Sequence, residues 1–260
     1  MKRFMQRSML GLMALITMPY VAFATDPTVH LAVSTSIYGP LESICQKFGQ
    51  STRFKCKITT APTGHLYAHI MHGMAYDLFV SSDETYTQGL LNAQKADSDS
   101  RFVIATGRVV LWSAAPFATA ESLHSALLND SNTTFVIANP GVSSYGGAAK
   151  EVLQYYNLWG PIQGRLVYGK SIKHSYDLIM SNRVPMGFVS LAQLSTQTRL
   201  KKRYWEPDPK SYKPVLHEVV ALKPLKHKQA SKEFIAYMRN ETSCQIFQDA
   251  GFSCNHLSAG

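Results

Sequence analysis

Short apolar segments that end in small hydroxyl residues and lead directly into a helix-like stretch occur three times in this 260-residue chain. They lie at residues 29–36, 57–64 and 135–147. A turn from a strand into a helix directs free backbone N–H groups and the positive end of the helix dipole at one point. Serine and threonine hydroxyls at such a turn add uncharged donors. Several of these turns facing one cleft predict an anion site without lysine or arginine.

Strand-like and helix-like patterns alternate along the chain. The strand patterns fall at 29–33, 54–59, 77–81, 109–112, 135–138, 165–168, 186–189 and 215–222. The helix patterns fall at 38–48, 66–72, 84–92, 145–156, 172–180 and 232–249. This alternation predicts an α/β fold with mostly parallel sheets. Ligands of open α/β sheets bind beyond the carboxyl ends of the strands, which is where all three hydroxyl-rich turns lie.

The N-terminus has the pattern of a secretory signal peptide. Lys2, Arg3 and Arg7 precede an apolar run at 9–20, and an Ala-X-Ala site ends at Ala24. We expect cleavage after Ala24 and export to the periplasm. An N-terminal membrane anchor is the alternative, but the apolar run is shorter than the roughly 20 residues that span a bilayer.

The net charge is +9, with basic runs at 201–203 and 223–232. We interpret these runs as a solvated basic face, because no basic stripe interleaved with aromatic residues is visible and an exported protein rarely meets nucleic acid. The length is enough for one large domain or two smaller lobes.

All four cysteines lie after the predicted cleavage site, at Cys45, Cys56, Cys244 and Cys254. An oxidising compartment favours disulfides, and four cysteines allow three pairings. The local arrangement, Cys45 with Cys56 and Cys244 with Cys254, costs the least loop entropy to close. A zinc site is the competing interpretation, but these spacings differ from C-x₂₋₄-C.

The order of these segments resembles that of a known family, the periplasmic molybdate-binding proteins of ABC importers. The stretches that carry the resemblance are 32–44, 63–70, 76–84, 138–140 leading to Gly146, 149–153, 158–159, 184–189 and 247–252. The resemblance implies a two-lobe type II periplasmic binding-protein fold. Each lobe is then a mostly parallel sheet flanked by helices, with the ligand cleft between the lobes.

The resemblance also implies how the chain is divided. After a signal peptide at 1–24, residues 25–107 plus 214–260 form the first lobe and residues 108–213 form the second.

Five positions match the family's oxyanion site. Ser36 and Thr63 would supply hydroxyls, and Tyr145 and Ile172 would supply backbone N–H groups. Ser190 stands where the family has a tyrosine whose phenol binds the ligand. Because serine has a shorter reach, we expect a smaller pocket, a bridging water, or a compensating donor such as the Tyr145 hydroxyl.

The predicted function is therefore that of a periplasmic solute-binding protein that captures a tetrahedral oxyanion, molybdate or tungstate, and delivers it to an ABC permease. We expect a monomer that is not an enzyme, needs no cofactor beyond its bound ligand and binds no nucleic acid. A diverged relative that binds another small anion, such as a carboxylate, is an alternative.

Two further alternatives come from local motifs. His65, His69 and His72 are spaced i, i+4 and i+7, so an exported metal-binding protein could hold zinc or copper there. A solvated helix face is the favoured interpretation of these histidines. Residues 141–145 resemble a nucleophile elbow around Ser143, but the last glycine of G-x-S-x-G is missing.

Overall fold

Two β-sheets, each covered by helices, organise the computed structural model, which describes residues 28–115, 119–129 and 132–254. The predicted signal peptide at 1–24 lies outside these described residues. Within them, no helix combines the length and the apolar character that crossing a bilayer would require.

The described residues contain nine strands and ten α-helices. The strands are β1 (Thr28–Ser34), β2 (Lys55–Ala61), β3 (Leu78–Ser81), β4 (Ala96–Gly107), β5 (Val109–Trp112), β6 (Phe135–Ala138), β7 (Leu166–Gly169), β8 (Met186–Ser190) and β9 (Val215–Leu222). The helices are α1 (Tyr38–Ser51), α2 (Thr63–Met71), α3 (Glu84–Asn92), α4 (Ala120–Asn129), α5 (Ser144–Tyr155), α6 (Trp159–Ile162), α7 (Ile172–Met180), α8 (Thr196–Leu200), α9 (Lys228–Met238) and α10 (Glu241–Asp249). Short 3₁₀ turns include Thr35–Ile37 after β1 and Leu191–Gln193 after β8.

The first sheet has the strand order β2-β1-β3-β9-β4. Strand β1 is parallel to β2 and to β3, whereas β9 is antiparallel to β3 and to β4. Because β1, β2 and β3 run in the same direction, their carboxyl ends meet at one edge of the sheet. The turns that follow them, at Thr35, Pro62 and Ser82, therefore lie side by side.

The second sheet has the order β5-β8-β6-β7, with β8, β6 and β7 parallel and β5 antiparallel to β8. Helices α5 and α7 begin after β6 and β7, at the carboxyl ends of those strands. The predicted α/β class is confirmed, and the antiparallel pairs belong to the strands that lead the chain between the sheets.

Both faces of each sheet are buried. In β1, Leu31 and Val33 pack in one core cluster with Phe48 and Phe234, whereas Ala32 packs in a second cluster on the opposite face. The alternation follows from the two-residue period of a strand. The second sheet repeats it, with β6 divided between two further clusters.

Helices α4, α6 and α8 were not predicted, and two further elements differ from the sequence prediction. Strand β4 was not predicted, because its first half is polar and its pairing with β9 shifts register between Asp97 and Phe102. The single helix predicted at 232–249 is two helices, since the Asn240 side chain accepts the Ser243 N–H and begins α10 there. Asn240 is a strong N-cap residue, which favours a new helix start over continuation.

One of the two predicted disulfides is present. Cys244 and Cys254 are bonded, and they tie α10 to the C-terminal segment. The predicted Cys45–Cys56 bond is not formed, and both residues are free thiols. A hydrogen bond with Cys56, together with burial, raises the pKa of the Cys45 thiol, which keeps it protonated.

The chain passes from the first sheet to the second at Gly107, the last residue of β4. Here the backbone lies directly beneath the Tyr145 phenol, so a methyl group at Gly107 would overlap the Tyr145 hydroxyl and approach His217 Cε1 to 3.0 Å. A side chain is thereby excluded at the crossing.

We expect Gly107→Ala to destabilise the protein by about 1–3 kcal/mol, because overpacking forces the Tyr145 ring or the β4 backbone to move. Adding Tyr145→Phe removes the overlapping hydroxyl and should restore part of that loss. The measurement is the free energy of unfolding in urea. Gly39→Ala in α1, where nothing lies within 4 Å, is the matched control. Equal stability of the two alanine variants would contradict the expected clash.

Candidate functional site

Five hydroxyl side chains meet where the two sheets face each other, and we refer to them as the hydroxyl cluster. Its members are Ser34, Ser36, Thr63, Ser82 and Ser144. Thr63 donates to Ser34 Oγ at 2.9 Å and lies 2.7 Å from Ser82 Oγ. Ser34 Oγ is 3.0 Å from Ser36 Oγ and 3.1 Å from Ser82 Oγ. Ser82 Oγ is also 3.0 Å from Ser144 Oγ, which links the first sheet to a helix of the second.

Each member of the cluster is held at the end of a regular element. Ser34 is the last residue of β1, and Ser36 lies in the 3₁₀ turn that follows. Thr63 begins α2, Ser82 follows β3, and Ser144 begins α5. Converging strand ends therefore bring together residues that are up to 110 positions apart in the sequence.

A small cavity of about 10 Å³ lies against the cluster and contains no charged side chain. It is lined by Ser34, Thr35, Ser36, Pro62, Thr63, Ser82, Ser143, Tyr145, Ser171 and Ile172. Four of the five predicted ligand positions are thus in one place: Ser36, Thr63, Tyr145 and Ile172.

Three helices begin at this cavity. Their first turns carry Thr63 in α2, Tyr145 in α5 and Ile172 in α7. The N-caps of α2 and α5 make no side-chain capping hydrogen bond. Free N–H groups and the positive dipole ends of three helices therefore face the same space, which favours an anion there.

Tyr145 and Ile172, the two predicted backbone donors, both line this space. Both side chains pack in the core cluster of the second sheet, and Tyr145 is only 1% exposed.

Ser190, the fifth predicted position, does not line the cavity. Its hydroxyl donates to the Tyr145 phenol oxygen at 3.0 Å and accepts the Ala192 N–H at 3.3 Å. The Tyr145 hydroxyl, expected as a compensating ligand donor, lies instead over Gly107. Ser190 is therefore linked to the site through Tyr145 and, by way of the Gln193 side chain, through the Ile172 carbonyl.

His217 adds an imidazole that no sequence pattern singled out. It lies on β9, its side chain is completely buried, and its Nε2 is 3.0 Å from Ser36 Oγ. Burial lowers the pKa of His217 to about 3, and interactions with the backbone of Val215 and Ala105 oppose this shift only in part. The ring is therefore neutral at physiological pH.

Sequence reasoning also passed over Ser34, Ser82 and Ser144 as individual site residues. All three lie at strand ends or helix starts, as Ser36 and Thr63 do, so the strand-end pattern could have found them. Asp83, which directly follows Ser82, caps α3 by accepting the Thr85 N–H. This leaves the Ser82 hydroxyl free for the cluster.

A wider cleft of about 230 Å³ adjoins the cavity through Ser82 and Ser143. Its walls come from both sheets and carry Asp83, Glu84 and Glu151. Ser143, the residue of the nucleophile-like motif, lies between the two spaces.

The three histidines of the metal alternative lie on α2 or directly after it. His65 and His69 are exposed on α2, and His72 lies just beyond the end of that helix. In the ranges that the structure describes, no group of three or more His, Cys, Asp or Glu side chains could hold a metal ion.

A family model and individual relatives agree on the family of this chain. Residues 29–253 match the profile of a family described as bacterial extracellular solute-binding protein. The molybdate-binding protein ModA of Rhodobacter capsulatus is 27% identical over 253 residues, which cover 97% of this chain and 99% of that protein. ModA of Azotobacter vinelandii is 27% identical over 225 residues, covering 86% of this chain and 89% of that protein.

Solved structures agree with the two-sheet architecture. The Azotobacter vinelandii periplasmic molybdate-binding protein matches with a TM-score of 0.81 at 28% identity, covering 86% of this chain and 98% of that chain. The sulfate-binding protein SubI of Mycobacterium tuberculosis matches with a TM-score of 0.69 at 12% identity, covering 87% of this chain and 86% of that chain. The second likeness is one of fold.

The buried His217 predicts a specific dependence of stability on pH. Between about pH 6.5 and pH 3 the unfolded histidine binds a proton that the folded one does not, so stability is lost as pH falls through this window. One such proton contributes a slope of at most about 1.4 kcal/mol per pH unit. Above pH 7 the contribution is constant.

We therefore compare the unfolding free energies of the wild type and His217→Gln. As pH falls below about 6.5, the wild type should lose stability relative to the variant. The measurement is urea unfolding at several values between about pH 4 and pH 7. Other titrating groups are common to both proteins and cancel in the difference. A difference that stays constant over this range would contradict the neutral buried imidazole.

Proposed function

Since the chain belongs to the family of bacterial extracellular solute-binding proteins, we propose that it captures a tetrahedral oxyanion, molybdate or tungstate, for an ABC permease. Members of this family bind solutes for transport, so the prediction that the protein is not an enzyme is confirmed. The names of the relatives from Rhodobacter and Azotobacter support molybdate as the ligand.

One observation carries this proposal: four buried or half-buried hydroxyls of the cluster (Ser34, Ser36, Thr63 and Ser82) and three helix N-termini meet at a space without any charged side chain. Donors of this kind complement an anion whose oxygens all accept hydrogen bonds. A fully deprotonated tetrahedral dianion has that character on every side.

We assign the first contacts with the anion to the hydroxyls of Ser36 and Thr63 and to the backbone N–H groups of Tyr145 and Ile172. Hydrogen bonds to a charged group contribute about 1.5–3 kcal/mol each, against about 0.5–1.5 kcal/mol for a neutral pair. Ser190 contributes indirectly, because it holds the Tyr145 ring and with it the start of α5.

The anion replaces hydroxyl–hydroxyl contacts rather than filling a ready-made hole. The cavity of about 10 Å³ is the size of one water molecule, which is smaller than a tetrahedral oxyanion. Ser34, Ser36, Thr63 and Ser82 must therefore separate slightly and turn their protons to the ligand. The exchange is favourable because charge-assisted bonds replace neutral ones.

The division into lobes follows from where the chain crosses between the sheets. We propose that residues 25–107 with 214–260 form one lobe and residues 108–213 the other, which move as hinged bodies around the ligand. The contact between Ser82 and Ser144 would then be an interlobe contact that opening breaks. Hinge motions of this kind occur on the microsecond to millisecond scale.

We further propose that residues 1–24 direct export and are removed, which places the working protein in the periplasm. It acts there as a monomer with a membrane permease as its partner and with no role for nucleic acid. Molybdate and tungstate carry the same charge and geometry, so donors of this type accept both. Discrimination against smaller oxyanions such as sulfate rests on the size of the cavity when the ligand is bound.

Removing a single hydroxyl donor should weaken molybdate binding. We expect Ser36→Ala and Thr63→Val each to lose about 10- to 100-fold in affinity, since each deletes one charge-assisted hydrogen bond. The measurement is titration calorimetry with sodium molybdate. Ser43→Ala, which removes an exposed hydroxyl on α1, is the control and should bind as the wild type does.

A thermal-shift panel tests the ligand class independently. Molybdate and tungstate at 100 times their dissociation constants should stabilise the protein by about 2.7 kcal/mol. Zinc and copper salts serve as probes of the histidine alternative. Stabilisation by a metal cation and by none of the oxyanions would overturn the proposal.

A further inference from the structure

His217 is the only imidazole whose ring touches the hydroxyl cluster among the described residues, and its two nitrogens are in different situations. Nε2 lies 3.0 Å from Ser36 Oγ. Nδ1 is buried and forms no hydrogen bond of good geometry within the described residues, although the backbone of Val215 and Ala105 interacts with the ring. The ring is fully enclosed, with Phe252 packed edge-on at 5.1 Å between ring centroids.

A neutral imidazole carries one N–H, so the surroundings decide which nitrogen holds it. A proton on Nδ1 would leave a buried N–H donor without a well-aligned acceptor, which is a rare and costly arrangement. A proton on Nε2 leaves only an unpaired lone pair on Nδ1 and forms a hydrogen bond to Ser36 Oγ. The second arrangement satisfies the donor.

The placement of this proton determines what Ser36 can do. If Nε2–H donates to Ser36 Oγ, the serine keeps its own proton to give to a ligand. If Nε2 were the acceptor, the Ser36 O–H would donate its hydrogen bond to the imidazole. Ser36 would then present only lone pairs to an approaching anion. The Nε2–H tautomer therefore makes Ser36 a hydrogen-bond donor to an anion, whereas the Nδ1–H tautomer makes it a group that repels the anion.

We propose that His217 is a positioning residue that fixes Ser36 as a hydrogen-bond donor to the bound oxyanion, and thereby favours anions that carry no proton. This inference rests on the proposed function. A donor chain from His217 through Ser36 to the anion also polarises the serine hydroxyl, which strengthens its bond to the charge.

The same arrangement affects selectivity. Ser36 Oγ faces His217 Nε2 on one side and Ser34 Oγ at 3.0 Å on another. The His217 Nε2–H donates to one lone pair of Ser36 Oγ, and the Ser34 hydroxyl can donate to the other. Ser36 therefore has little capacity to accept a hydrogen bond from a ligand. Monohydrogen phosphate, which must donate its P–O–H proton, is disfavoured relative to molybdate.

Two variants separate the donor from the bulk of the ring. His217→Gln places an amide N–H₂ within reach of Ser36, whereas His217→Leu fills space without a donor. We expect the leucine variant to bind molybdate about tenfold more weakly, and to lose most of its preference for molybdate over phosphate at about pH 8. The glutamine variant should keep most of the affinity for molybdate and most of the preference for molybdate over phosphate.

A double-mutant cycle shows whether the effect passes through Ser36. In a Ser36→Ala background, His217→Leu should change molybdate affinity by less than about twofold, because the group that His217 acts on is absent. A purely structural role for the ring would instead lower affinity by a similar factor in both backgrounds, and that result would overturn the inference.

A measurement on the wild-type protein covers the case in which a variant fails to fold. Nitrogen-15 chemical shifts distinguish the two neutral imidazole tautomers, and His217 should have its proton on Nε2. A proton on Nδ1 would overturn the inference while leaving the proposed function intact. If the wild type binds none of the oxyanions, the proposed function fails and this inference falls with it.

Discussion

Mutual hydrogen bonding among buried hydroxyls is the constraint on which the rest of this structure depends. Ser34, Thr63 and Ser82 are at most 3% exposed, and buried polar groups need partners. They find these partners in one another because the ends of three parallel strands lie side by side. The groups that the fold must pair are also the groups that an oxyanion can take over, so stability and binding draw on the same atoms.

Two titratable side chains beside the hydroxyl cluster are also uncharged. Burial keeps His217 neutral by lowering its pKa, and burial raises the pKa of the Tyr145 phenol so that it also stays neutral. These two rings, with Gly107 between them, form the packing at the point where the chain passes from one sheet to the other. A site built in this way balances a bound charge with oriented dipoles, which cost little to bury, rather than with cations that would themselves need a partner.

Much of the fold could be predicted because local sequence and tertiary structure agree. Strand β6 and helix α7 have their predicted bounds, since apolar runs and cap residues mark them clearly. Strand β4 could not be predicted from its polar first half, because its pairing with β9 is what makes it a strand. In the site, Ser36 and Thr63 could be predicted from their positions after strands, but the turning of Ser190 away from the cavity could not, since it depends on the Tyr145 ring.

The sequence by itself determined the alternation of strands and helices and the hydroxyl residues at their junctions, because both follow from local periodicity and turn chemistry. Only the tertiary structure decided which of those hydroxyls meet, and that His217 lies behind Ser36 although 181 positions separate them. A strand residue takes its neighbours from the register of the adjoining strands and from the helices packed on the sheet. That register is a property of the assembled sheet, and no local segment of the chain encodes it.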